Sequence, residues 1–466
     1  MSNEAVAAAA AKMRQAGQSD AAIRHFSHAI ERVAAGERTL ISSAEIEPVP
    51  DVPGLAELPD ADPREALAAL AVIRLNGGIA TSMGLRQPKS LLEAREGYSF
   101  LEVIAGQILD LRRRHGVRLP LILMNSQATH EPTRAALDGI PELANGGLPQ
   151  EFLQSMVPKL DAATLLPARW PRAPELEWCP PGHGDVYASL VGSGLLHALR
   201  ERGYRRAMIA NSDNLAATVD ARIAAHVAEQ RIPFLLEVVR GTASDRKGGH
   251  LARRRSDGQL VLRETAQTPV EDAASFLDYR RWRYYNTNSL WIDLDALEER
   301  FASATTLELP VIVNHKTLDP RDPDSPPVLQ LESAMGAAIS SFPGACLLEV
   351  PRSRFVPVKT TDDLLVLRSD CFRMADGFVL EPARQGASPP EVALDKDHFG
   401  LIDDFDRRFP AGPPSLRDAE RLIVNGDVYF GADVVVRGSV QIDAPPDGLS
   451  VEPGTILNHE AVSASA

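Results

Sequence analysis

Short apolar runs along the chain are each closed by small and polar residues. Ala71–Leu75 is such a run, "LPLILMN" over 119–125 is the next, and "RRAMIANSDN" (205–214), "PFLLEVV" (233–239) and "SLWIDL" (289–294) come after it. Their lengths and boundaries predict strands. Between the first two, Leu101, Ile104, Ile108 and Leu111 recur at helical spacing. Ser99 with Glu102 three residues on reads as a capping box, and Gly116 as the stop. Strand, helix and strand in this order make a βαβ unit, and its repetition predicts an α/β fold with helices on both faces of the sheet. Ligands of such sheets gather beyond the carboxyl ends of the strands.

The two ends of the chain have different patterns. Residues 1–68 begin with the Ala-rich "NEAVAAAAAKMRQAG", a helix, and close in a polar, Pro-rich connector, "AEIEPVPDVPGLAELPDADP". Residues 69–375 hold the strand and helix alternation. In 376–466, a Pro-rich linker (380–415) leads to Leu422, Val428, Val434 and Val440, which recur every six residues with Gly426, Gly431 and Gly438 near the corners. That register predicts a left-handed β-helix of hexapeptide rungs in preference to a hairpin or meander. Its open rungs would expose backbone groups able to pair a second copy of the chain.

Composition narrows the class. A chain of 466 residues with 44% hydrophobic and 24% charged residues is long enough for two or three domains with packed cores. No apolar run approaches the roughly 20 residues of a membrane helix, and the start lacks the pattern of a signal peptide. Three cysteines (Cys179, Cys346 and Cys371) without ligand spacing fit a reducing compartment, so a cytoplasmic protein is expected. A net charge of −14 argues against a general affinity for nucleic acid. It leaves room for a small phosphorylated ligand held by a local cluster of donors.

The candidate chemistry sits just after the strand signals. "LNGGIATSMGLRQPKS" (75–90) is a long glycine loop in which backbone N–H groups can approach an anion and Lys89 supplies a charge. It is not a P-loop, because Pro88 stands where the second glycine of that motif belongs. "WCPPGHGD" (178–185) presents His183 between Gly182 and Gly184. "NSDN" (211–214) offers Asp213 as a Mg²⁺ ligand or forms an Asx-turn. In "YNTNSLW" (285–291), Asn286 and Asn288 are two apart, so both are expected on one side of an extended segment, as amides for sugar hydroxyls. Glu264 adds an acceptor. Arg352, Arg354 and Lys359 in "VPRSRFVPVKTTDDLL" (350–365) read either as a solvated basic run or as a second phosphate clamp.

Taken together, "LNGGIATSMGLRQPKS", "LMNS", "CPPGHGD", "NSDNLAATVD", "SDRKGG", "ETAQ", "YNTNSLW" and "VPRSRFVPVKTTDDLL" resemble, in order, the motifs of the eukaryotic-type UTP–glucose-1-phosphate uridylyltransferase (UDP-glucose pyrophosphorylase) family. The resemblance implies a Rossmann-like nucleotide-sugar transferase core. It implies that UTP is held by Leu75, Asn76, Gly77, Gly78, Lys89, Gln154, Gly182, Asn211, Asp213 and Lys359. Gln154 would read uracil, and Lys89 and Lys359 would be the catalytic lysines. Asp213 would hold Mg²⁺, the one cofactor. His183, Glu264, Asn286 and Asn288 would contact the sugar phosphate. The chain departs from the family pattern at Ala80 and Gln87, where the pattern has glycine, at Arg86 for lysine, at Tyr285 for phenylalanine and at Ser289 for asparagine. Alanine at position 80 would cost on the order of 1 kcal/mol if that position needs a positive φ. The implied reaction is in-line attack of the sugar 1-phosphate on the α-phosphorus of UTP, giving a UDP-sugar and pyrophosphate. Two alternatives stay open: another sugar phosphate, such as N-acetylglucosamine or galactose 1-phosphate, or a nucleotide-binding regulator without catalysis.

Overall fold

A computed structural model describes residues 2–37, 39–303, 306–384, 389–458 and 461–463. At its centre is a sheet of ten strands. In chain order these are β1 (Ile46–Pro48), β2 (Leu70–Asn76), β3 (Leu121–Asn125), β4 (Glu151–Leu153), β5 (Arg206–Asn211), β6 (Phe234–Arg240), β7 (His250–Arg254), β8 (Leu260–Arg263), β9 (Tyr284–Asp293) and β10 (Cys346–Glu349). The spatial order is β1-β7-β9-β5-β2-β3-β4, with β6 joining β9 to β10 and β8 paired to β7. Strands β5, β2, β3 and β4 are parallel, whereas β9 runs antiparallel to both β5 and β6. The sheet is therefore mixed.

The βαβ unit forms as expected. The helix Phe100–His115 starts at Ser99 with a reciprocal Ser99–Glu102 capping box and ends at Gly116, which is left-handed with φ 61°. Strand β2 is buried at all seven positions. Apolar clusters cover the sheet on both faces, one including Val72, Leu101, Ile104 and Met208, the other Ile73, Ile122, Leu190 and Ile209.

The N-terminal helices Ser2–Gln15 and Asp20–Ala34 pack on each other through Ala5, Ala9, Met13, Ile23, Phe26 and Ile30, and on Val157, Cys179 and Leu331 of the central part. The Pro-rich connector does more than connect: its Ile46–Pro48 is strand β1, paired antiparallel to β7. Pro48 is tolerated there because β1 is an edge strand. No helix among the described residues is long and apolar enough to cross a membrane.

The tail is a parallel-strand region. Ser415–Asn425 pairs in parallel with Val435–Asp443, which pairs in parallel with Ile456–Asn458 and Ala461–Ser463. A hairpin or meander would be antiparallel, so that reading is set aside. Leu422 lies opposite Val440, eighteen positions on, which is three six-residue units. Leu422, Val428, Val434 and Val440 all point into the core. The stretch expected to be linker is largely built: it contains the strand Glu391–Leu394 and the helices Lys396–Phe399 and Ile402–Arg408. Buried Phe399, Ile402 and Phe405 fix these elements among the prolines. Residues 385–388 of that stretch lie outside the described residues.

Candidate active site

The carboxyl ends of β2, β3, β4 and β5 are level. Asn76 is opposite Asn125, Asn125 opposite Leu153, and Leu75 opposite Asn211. The segments that leave these strands are thereby brought to one edge: the glycine loop after β2, Gln154 after β4, and Asp213 after β5. The backbone at Gly77 lies so close to Gln154 that a Cβ there would meet Gln154 Oε1 at 2.7 Å. Antiparallel β9 delivers its first half to the same edge, since Ser289 pairs with Ala210 and Asn286 with Val238. Strand β10 runs parallel to β6 and leads into the segment that carries Lys359.

Side chains then close the site. Lys89 Nζ donates to the Val358 carbonyl and lies 3.4 Å from Asp213 Oδ2. The Val358 N–H donates to the Asp213 carbonyl at 3.1 Å. Asn214 Nδ2 donates to the Arg354 carbonyl, and Asn214 Oδ1 accepts from the Val356 N–H. The glycine loop, the "NSDN" turn and the Lys359 segment are thus laced together. On the other side, Asp185 Oδ2 accepts from the Ser155 N–H at 2.7 Å, tying the His183 loop to Gln154. Gly182 has φ +81°, and a Cβ there would meet the Ser333 carbonyl oxygen at 2.5 Å, so only glycine lets this loop dock.

His183 Nδ1 accepts the Met335 N–H at 3.0 Å. A backbone N–H can only donate, so the neutral ring carries its proton on Nε2. Burial, and next the charge of Lys359, push the His183 pKa down to about 4, so the ring is neutral at pH 7. Burial also raises the Glu264 carboxyl above its usual range, against the opposing pull of Lys359. Lys359 therefore lies within electrostatic reach of both groups. The Gly249 backbone packs against the Glu264 carboxylate, and the Gly249 carbonyl accepts from the Asn286 N–H at 3.0 Å. Next to Asn286 sits Gly336, where a Cβ would meet Asn286 Nδ2 at 3.1 Å.

Some expectations change in detail. Asn76 does not turn its amide to the cleft: it is buried and Nδ2 donates to Asn125 Oδ1 at 2.7 Å and to Thr133 Oγ1 at 2.9 Å. Leu75 likewise packs into the core, and its carbonyl accepts from the Ser212 N–H. Both can face a ligand through main chain alone. Asn286 and Asn288 meet by bonding each other rather than by simple alternation. Asn286 Nδ2 donates to Asn288 Oδ1 and Asn286 Oδ1 accepts the Asn288 N–H, both at 2.9 Å. Asn288 has φ 55°, and the β6–β9 register shifts between Leu236 and Val238, so this stretch is bulged. Ala80 has φ −73°, so alanine is unstrained there.

The second phosphate clamp does not form. Arg352 binds both carboxylate oxygens of Asp245 (2.8 and 2.9 Å) and buried Arg354 binds both of Glu237 at 3.0 Å. Each guanidinium is satisfied by a carboxylate, and Lys359 is left as the cation of that run. Sequence reasoning misses Arg74. It is buried in β2 and donates to the carbonyls of Asn211, Asn214 and Ala217, shaping the "NSDN" turn. Burial and the Arg354 charge lower its pKa to about 10, so it stays charged. An arginine inside an otherwise apolar run is the signal that could have found it.

Buried side-chain oxygens without a hydrogen-bond partner among the described residues include those of Ser90, Ser212, Asp213 (Oδ1), Ser289 and Ser333. Each lies at, next to, or against a candidate site residue. Such atoms are costly to leave unpaired, and a ligand at this edge could supply bonds to some of them.

The profile of the family described as UTP--glucose-1-phosphate uridylyltransferase matches residues 23–437. The chain belongs to this family. A family enzyme of the same description from Musa acuminata is 39% identical over 405 residues, 86% of this chain and 84% of the relative. That of Saccharomyces cerevisiae is 40% identical over 401 residues, 85% of this chain and 78% of the relative. The crystal structure of a mutant UDP-glucose pyrophosphorylase from Leishmania major in complex with UDP-glucose superposes with a TM-score of 0.93 at 41% identity, over 98% of this chain and 99% of that chain.

Proposed function

We propose that this chain transfers the uridylyl group of UTP to glucose 1-phosphate, forming UDP-glucose and releasing pyrophosphate. The observation that carries the reading is the lacing of Lys89, Asp213 and the Lys359 segment at one sheet edge, with His183 and Glu264 opposite. Both substrates are anions, so the chemistry needs positioning and charge stabilisation more than covalent help. The glycine loop receives the nucleotide through backbone N–H groups, and Gln154 reads the base beside Gly77. Lys89 stabilises the leaving pyrophosphate and Lys359 the attacking and α-phosphates. The Nε2–H of neutral His183 donates to the sugar phosphate, and Glu264, Asn286 and Asn288 accept and donate at sugar hydroxyls. No general base is needed, because the phosphate nucleophile is already ionised at neutral pH.

Asp213 fits a role in holding Mg²⁺. Its Oδ1 is buried with no partner, and no group of three or more His, Cys, Asp or Glu that could hold a metal occurs among the described residues. One carboxylate completed by phosphate oxygens and water is how Mg²⁺ is usually held. When bound, the ion would supply positive charge to the phosphates.

The same reading takes the central sheet as the Rossmann-like core of a nucleotide-sugar transferase and the parallel tail as a left-handed β-helix, supported by the eighteen-position pairing of its strands. The free state of Cys179, Cys346 and Cys371 fits a cytoplasmic protein. The test is pyrophosphate release with UTP, Mg²⁺ and glucose 1-phosphate, beside galactose and N-acetylglucosamine 1-phosphates. Release with glucose 1-phosphate is expected; release only with another sugar would move the substrate, and none from protein that still binds UTP would leave a regulator. Lys359→Ala at unchanged fold is expected to lose about 10²–10³ in rate, measured as kcat, and near-normal turnover would remove Lys359 from the chemistry.

A further inference from the structure

We infer that Asn125 and Glu151 set the nucleotide preference of the site by holding the base-reading segment in register with the glycine loop. The inference rests on the reading of Gln154 as the residue that recognises uracil.

Asn125 ends β3, between the glycine-loop strand β2 and the Gln154 strand β4, and is 0% exposed. Every polar group it directs at these neighbours is used. Its Oδ1 accepts from Asn76 Nδ2 at 2.7 Å, one residue before Gly77. Its carbonyl accepts the N–H of Gln154 itself at 2.8 Å. Its Nδ2 donates to Glu151 Oε2, three residues before Gln154. Glu151 Oε1 in turn lies 3.0 Å from Nδ1 of His130, whose helix also carries Thr133, the second partner of Asn76. A chain of hydrogen bonds therefore runs from the glycine loop through Asn76 and Asn125 to Glu151, on the strand that presents Gln154.

Geometry makes this register matter. Gln154 Oε1 would be only 2.7 Å from a Cβ at Gly77, so the amide that reads the base is wedged against the loop backbone that holds the nucleotide. Base recognition depends on donor and acceptor directions, and a small misplacement of a positioned group costs affinity and discrimination. The Glu151 carboxylate is half-buried and meets only Asn125 and His130 among the described residues, so its contacts serve this path alone. Asn125 and Glu151 are positioning residues, acting through Gln154 and Asn76.

The experiment compares Glu151→Ala, Glu151→Gln and Gln154→Ala in the full-length protein. It measures KM and kcat for UTP and CTP at fixed glucose 1-phosphate, KM for glucose 1-phosphate, and the melting temperature. Glu151→Ala leaves the Asn125 amide unpaired and is expected to raise KM for UTP about tenfold. It should also reduce the UTP over CTP preference several-fold, with KM for glucose 1-phosphate unchanged. Glutamine keeps an acceptor for Asn125, so Glu151→Gln is expected to restore both values. A Glu151→Ala enzyme with unchanged nucleotide preference overturns the inference, even if it melts earlier, provided Gln154→Ala does shift that preference. If Gln154→Ala leaves the preference intact, the base-reading assignment itself fails and the inference with it.

Discussion

Tyr285 carries a hydroxyl with nothing to bond among the described residues. Its Oη is buried without a partner among the described residues, and burial pushes its pKa up to about 12. The ring fills the space beside Gly241, which phenylalanine would fill as well. Tyr285→Phe is therefore expected to stabilise the protein by about 1 kcal/mol, read as a shift of the denaturation midpoint with the slope unchanged. His250 is a second residue under tension. It is fully buried and stacked on Trp282 with centroids 4.6 Å apart, and neither ring nitrogen has a partner among the described residues. Burial, then Arg263, lower its pKa to about 3, below the 6.5 of the unfolded chain. The unfolded state binds the proton first, so this stability is present above pH 6.5 and is lost as pH falls toward 3. His183, held near 4, acts in the same direction. His250→Phe keeps a stacking ring and removes the titration of His250, so its melting temperature should fall less between pH 6.5 and 4 than that of the wild type.

At the scale of elements, local rules were legible and long-range pairings were not. The helix over 100–115 could be read to the residue because its start and stop, Ser99 with Glu102 and Gly116, lie within its own sequence. Ser99→Ala is expected to cost about 1 kcal/mol, measurable by chemical denaturation. Strand positions after 70, 205 and 233 were equally plain from short apolar runs. Less legible was which way a polar side chain at a strand end would turn. Asn76 faces Asn125 because β3 happens to be its neighbour, 49 residues away, and no periodicity reports that. Arg354 was ambiguous for the same reason: its carboxylate, Glu237, is 117 residues distant, on β6. The resemblance to a family offered candidate site residues, but not which of them turn their side chains inward, as Asn76 and Leu75 do.

The whole molecule is more continuous than its sequence suggests. One apolar cluster runs from Val72 and Met208 in the central sheet, through Leu364, Leu365 and Leu367 just after Lys359, to Leu394, Phe399, Phe405, Leu422 and Val440 in the tail. Leu401 also rests against Gly84 in the glycine loop. The Pro-rich stretch at 380–415 reads as a linker between the units 69–375 and 376–466, and the cluster holds residues of both. Shortening the chain to end at 375 would expose this core. The truncated protein is expected to be insoluble or unfolded by circular dichroism, and the full chain to melt in a single transition. A soluble, folded fragment would show that the tail contributes little to the core.

The inward turn of Asn76 and Leu75 carries a consequence for how such a chain can change over generations. On the proposed reading the loop meets the nucleotide with main-chain groups, so few of its side chains besides Lys89 are tied to the ligand. Ala80, Arg86 and Gln87, three departures from the family pattern within eight residues, sit where the backbone is present whatever the residue. Substitutions at positions 80, 86 and 87 are therefore expected to cost little, whereas Gly77 and Gly182, where a Cβ would clash, and Lys89 and Lys359, which supply charge, are expected to tolerate few.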